Sequence, residues 1–299
     1  MHVLAEPQPD LQLPPEATPP PSPSQPGWKR LIAKVFAIVF TEPWARIDAR
    51  DKAPMVGRLT ARQATLVTGL SAAVLLVVLR FVVMDHEVQS GIAALIIQLG
   101  GTVSKSLGET LQHYQRLLVN LSWVIGCFTC YFCVPALIIR HVFGLRLTDF
   151  YLTPREYLRH LPLYALLFLP VGLSVLGVAH SPEFQAQYPF YQEHQGTADL
   201  LVWELGYAIQ FFSLEFFFRG FLLRGMAAEL GAMAMMVMMI PYCMIHFGKP
   251  LPECLGSIVA GMVLGTLAMD TRSIWGGVTI HVAVAWSMDL ASLWHKGQL

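Results

Sequence analysis

Apolar residues in this chain gather into long unbroken runs separated by short polar and charged stretches, with no sign of strict alternation. Runs of about 20 apolar residues have the length of a membrane-crossing helix, whereas a transmembrane β-barrel would need alternating segments of roughly ten. The pattern predicts an all-α, polytopic transmembrane helical bundle with about seven spans, at 64–84, 117–139, 161–179, 199–226, 233–246, 254–269 and 274–294. An eighth membrane element enters the count if the glycine-interrupted stretch 88–101 is a re-entrant or interfacial segment. The apolar run 31–40 is too short to cross and predicts an interfacial helix broken near Pro43. Pro170 predicts a bend in the third span. Gly256, Gly261 and Gly265 would let a neighbouring helix approach the sixth.

The polar stretches divide the chain further. Residues 1–26 hold nine prolines and no hydrophobic run, a composition that cannot bury enough surface to offset ordering entropy, so a loose tail is expected. A basic juxtamembrane segment, 27–63, follows. Residues 64–198 then form the first helices and loops, and 199–299 a four-helix core that carries the candidate chemistry. Thr153-Pro154-Arg155-Glu156 has the look of a helix start. Of the 299 residues, 55% are hydrophobic and 13% charged, and the mean hydropathy is +0.52, far from the roughly 25% charge of a soluble domain. The formal net charge is zero, which gives no reason to expect a nucleic-acid partner. Lys and Arg crowd into 27–63, 140–160 and the ends of the spans on the same side, so the positive-inside rule sets the N-terminus in the cytoplasm and the C-terminus outside a cell's inner (plasma) membrane.

Within the fourth span, Glu215 and Arg219 lie one helical turn apart among phenylalanines, in Ser213-Leu214-Glu215-Phe216-Phe217-Phe218-Arg219-Gly220. Ionisable residues at membrane depth are costly and mark function by default. At about 1.5 Å per residue, Glu215 and His246 each lie roughly 22 Å from the turn near Leu230 that joins their spans, so they can share a level. His281 reaches a compatible depth from the last span, and the cluster is expected in the inner half of the bilayer. A carboxylate beside a histidine can take a proton from water, and a second histidine can stabilise the oxyanion formed when that water attacks a peptide carbonyl. The same residues also admit a buried ion pair locking helices together, with histidines that only pack. Glu204, Glu229 and Glu253 are further acidic candidates. No zinc motif, serine elbow or phosphate-binding loop occurs, and Cys127, Cys130 and Cys133 read as packing residues rather than metal ligands, so no cofactor or metal is expected.

The order Glu215-x-x-x-Arg219-Gly220, Tyr242-x-x-x-His246, then His281 resembles the CPBP family, the CAAX-protease and bacteriocin-processing (Abi) glutamic-type intramembrane endopeptidases. The run EFFFRG followed by HFGKP is most similar to bacterial members. The resemblance implies that Glu215 and His246 activate water, that His281 helps form the oxyanion site without a metal, and that Arg219 and Tyr242 support them. The implied substrate is a membrane protein or peptide at the bilayer; the oligomeric state is left open. Three positions depart from the family pattern. Leu214 stands where the first glutamate of an EExxxR motif is usual, Tyr242 where phenylalanine is common, and Ala285 where an asparagine or aspartate follows the last histidine. Asp289, one turn beyond Ala285, is the candidate substitute. Against hydrolysis stands a non-catalytic scaffold or immunity-type protein of the same fold, which the departures favour. A proton-coupled transporter is disfavoured because no internal repeat is visible.

Overall fold

The computed structural model describes residues 27–154 and 157–298; the proline-rich tail and the Arg155-Glu156 half of the expected helix start lie outside the described residues. Helices α1 (Gly27–Phe36) and α2 (Glu42–Asp51) are joined by a π-helical turn at Ala37–Thr41, so the expected break near Pro43 is a turn of wider helix. Pro43 sits at the second position of α2, where its missing N–H leaves no bond unmade. A two-residue antiparallel hairpin, β1 (Met55–Val56) and β2 (Leu59–Thr60), leads into α3 (Ala61–Val78). Thr60 and Gln63 cap that helix reciprocally, which fixes where the first span begins.

Beyond α3 the chain makes a helical pair, α4 (His86–Val103) and α5 (Lys105–His113), where a re-entrant segment was one expectation. Asp85 accepts the Glu87 and Val88 amides and starts α4. Next come α6 (Gln115–Phe128), α7 (Val134–Leu137) with π-helical turns on both sides, and α8 (Tyr157–Val178), which runs on through Pro162 and Pro170. After α9 (Pro182–Gln187) the C-terminal helices are α10 (Thr197–Glu215), α11 (Leu223–Leu230), α12 (Ala234–Met244), α13 (Leu251–Thr271) and α14 (Trp275–His295).

Five segments are long and apolar enough to cross a membrane: Ala61–Val83, Gln115–Phe143, Tyr157–Val178, Thr197–Met244 and Leu251–Thr271. The fourth contains two of the expected spans, because the chain reverses at Gly231, whose φ of +58° suits a residue without a Cβ. The seventh expected span is α14, as long as its neighbours but outside those five. The protein is an all-α polytopic helical bundle.

Packing follows small residues and aromatics. α12 lies against α13, where a Cβ on Gly265 would stand 2.9 Å from Met235 and one on Gly261 3.1 Å from Met239; Gly256 meets nothing. α10 packs on α6 and α14, α11 on α3, and α8 on α14. The core centres on Phe216, Phe217, Phe218 and Phe221, all fully buried and meeting Tyr131, Phe150 and Tyr242. Cys127 and Cys130 are buried in the same core.

One end of the bundle is tied together by charge. Arg46 pairs with Asp270 at 2.9 Å, Arg50 grips both oxygens of Asp51 at 2.8 Å, and Arg272 reaches Asp51 at 3.0 Å. Asp48 accepts the Ala232 amide at 2.7 Å, tying α2 to the turn between α11 and α12.

Candidate active site

Glu215 is the last residue of α10, and Arg219 lies in the seven-residue π-helical stretch Phe216–Leu222 that follows. Such widenings of a helix recur at functional sites because they re-aim side chains. Gly220 is required here, since a Cβ would stand 2.9 Å from the Phe150 carbonyl oxygen. Both charged side chains are fully buried, at 0% exposure. Their heads meet at 3.1 Å, and Glu215 Oε1 is also 2.7 Å from His281 Nδ1. Arg219 lies flat over the Tyr242 ring, 4.0 Å from its centre. Tyr242 in turn carries its hydroxyl to His281 Nε2 at 2.8 Å. Glu215 meets Arg219 and His281 at ion-pair distance without hydrogen-bond geometry, and the hydrogen bond made in this cluster joins the Tyr242 hydroxyl to His281 Nε2. Phe211 stacks on the imidazole at 7° and 5.6 Å and fixes its plane.

Room for the carboxylate comes from Gly277, one turn before His281; a Cβ there would collide with Glu215 Oε2. Gly276 makes the same allowance for the Tyr164 ring. Four of the expected residues, Glu215, Arg219, Tyr242 and His281, therefore form one enclosed network on three helical segments.

His246 packs edge-on against the Tyr242 ring, 4.9 Å between centroids, at the border of this network. It follows the end of α12, bonds its Nδ1 to the Tyr242 carbonyl at 2.8 Å, and leaves Nε2 without a hydrogen-bond partner among the described residues. It makes no ion pair or hydrogen bond with Glu215 among the described residues. It lines a cavity of about 340 Å³ together with Leu214, Gln210, Phe211, Tyr207, Trp123, Asn120, Gln89, Phe190 and Lys249, and with no carboxylate. The cavity wall thus carries Leu214 and not Glu215.

Asp289, the candidate substitute for a polar residue at Ala285, lies one turn beyond it on α14. It accepts the Phe190 amide at 3.0 Å and so holds a cavity-lining loop against α14. Ala285 is buried among Trp203, Tyr207, Tyr191, Leu117 and Val124. Gln210, Asn120, Phe211 and Gly277 were not singled out from sequence. Only Gly277 left a trace there, as a small residue one turn before His281.

Residues 196–287 match the family described as "Type II CAAX prenyl endopeptidase Rce1-like". The C-terminal helices are similar to that family. The match agrees with the CPBP resemblance, runs from the start of α10 into α14, and includes Glu215, Arg219, Tyr242, His246 and His281 while stopping short of Asp289. No curated protein and no solved structure matches the chain. The similarity is therefore, at family level, to a CAAX-type endopeptidase.

Proposed function

We propose that this chain uses the Rce1-like scaffold to hold a segment of a membrane-associated protein in the His246 cavity without hydrolysing it. The observation that carries this is the split between Leu214 and Glu215. Water activation needs a carboxylate that shares a space with the scissile carbonyl, and the position aimed into the cavity is leucine, 7% exposed. Glu215 is enclosed by Arg219, His281 and Gly277. The other two departures work in the same direction. Tyr242 occupies His281 Nε2, the nitrogen an oxyanion would need, and Ala285 removes a donor. Glu215, Arg219 and His281 then act as a structural lock, while His246, with Nε2 free, is a hydrogen-bond acceptor for the bound segment.

The protein would lie in a cell's inner membrane with α1 and α2 at the cytoplasmic surface, following the clustering of basic residues on that end. A second reading is hydrolysis by Glu215-activated water. It is favoured by the family match and by the 2.7 Å contact between Glu215 and His281, and it needs a rearrangement that carries the carboxylate past Leu214.

Comparing the termini of membrane proteins by mass spectrometry, in cells with and without this protein, separates the two. Binding alone leaves the set of termini unchanged and alters only the abundance or location of the bound protein. A terminus that vanishes when the protein is removed would overturn the proposal.

A further inference from the structure

The helical rod that opens the described chain is held at one end only. From Gly27 to Asp51 it runs through its π-helical turn without a break, and Pro43 is its first buried residue. α2 is fixed to the bundle: Trp44 Nε1 donates to Thr266 Oγ1 at 3.0 Å, Arg46 pairs with Asp270, and Arg50 donates to the Asp270 and Met269 carbonyls. α1 has no buried residue, and its N-terminal end stands about 24 Å along the axis from Pro43.

The two faces of α1 are unlike. Trp28, Leu31, Ile32, Val35 and Phe36 recur at steps of three and four, so they share one side, and each is more than half exposed. Lys29, Arg30 and Lys34 fall on the opposite side, and no Asp or Glu occurs between Gly27 and Thr41. The apolar side also has a direction. Phe36, Phe40 and Trp44 follow one another ring to ring, at 5.1 and 5.7 Å, so the stripe continues into the face of α2 that buries Pro43 and Ile47. Ile47 belongs to the main core of the bundle. α1 therefore turns its apolar side the way α2 turns toward the membrane-crossing helices, and the described residues leave that side uncovered.

A contiguous apolar stripe of this kind is unfavourable against water. A second copy of the chain would cover the apolar side without using the basic one. A leaflet of anionic lipid meets both: acyl chains take the apolar side, headgroup phosphates the basic one, and the Trp28 ring suits the boundary between them. We propose that α1 is a lipid-binding element that lies in the membrane surface and selects anionic phospholipid headgroups through Lys29, Arg30 and Lys34. The contact is independent of the His246 cavity and of whether any peptide bond is cut.

The test is amide hydrogen exchange, read by mass spectrometry, on the full-length protein in lipid nanodiscs of phosphatidylcholine alone and of an equal mixture with phosphatidylglycerol. One basic residue beside an anionic surface strengthens binding about fivefold. Amides of α1 should accordingly exchange at least about tenfold more slowly in the mixed discs. Those of α13 should exchange equally in both and report folding. The α1 difference should shrink below about twofold in ~1 M salt, where the Debye length is about 3 Å. Combined Lys29→Gln, Arg30→Gln and Lys34→Gln should abolish it at low salt. If that variant fails to accumulate, the salt series decides alone. Fast exchange of α1 in both lipids, or equally slow exchange in both, overturns the proposal. Protection that appears only in discs holding two copies overturns it as well, and gives the face to a second copy of the chain.

Discussion

Glu215 and Arg219 show how one residue of helix rotation decides what a charge can do. Facing away from the cavity, the carboxylate meets the guanidinium at 3.1 Å and the imidazole at 2.7 Å, and no side of the pair is open to solvent. Removing one partner of such a pair leaves the other charge buried alone, a loss of about 3–5 kcal/mol. Arg219→Leu should therefore unfold at a markedly lower temperature in detergent micelles than the wild type, and Glu215→Leu with Arg219→Leu should recover part of that loss. Gly277→Ala pushes a methyl group into the carboxylate and is expected to cost about 1–3 kcal/mol, read in the same unfolding experiment. The spacing of Glu215, Arg219, Tyr242 and His281 was legible in the sequence, because four-residue steps on a helix put residues on one face. What they would touch was not. What surrounds Glu215 depends on how α10 and α14 pack, and single-sequence periodicity carries no signal for that packing. The Tyr242 hydroxyl looked like a mild change from phenylalanine and proved to bind the imidazole.

At the level of elements, the seven expected apolar runs all became helices, and the reason is physical: unbroken apolar stretches can bury only as helices in lipid. Their ends were legible wherever a cap announced them, as with Thr60 and Gln63 before α3. α12, 11 residues and about 16 Å long, delivers His246 to a loop on the end away from the basic helices. Likewise Asp289 lies two turns beyond His281 and reaches out to the Phe190 loop. The short α12 depends on glycines in α13 for its seat. Gly265→Leu should force the two helices apart against Met235 and lower the amount of folded protein in membranes several-fold, whereas Gly256→Leu, with open space around it, should leave it near the wild-type level.

Across the whole molecule, the basic end joins α2 to the α13–α14 turn through Asp51. Burial alone would raise the Asp51 carboxyl, but hydrogen bonds from Arg50 and Arg272 outweigh it and hold the group below its ordinary value. A carboxyl whose pKa is lower in the folded state adds stability above its unfolded value, near 4, and loses it as pH falls through the folded one. Asp51→Asn should thus unfold more easily at pH 7 and show a shallower further loss of stability below about pH 4 than the wild type, followed by thermal unfolding across pH. The central claim, that Glu215 holds the scaffold together while the cavity binds without cutting, is tested most directly by Glu215→Gln. The measurement is the set of membrane-protein termini, normalised to folded protein of each variant. The expected result is a less stable protein, with unfolding shifted down by several degrees, and an unchanged set of termini. A variant that folds as well as the wild type yet loses a processed terminus would contradict it.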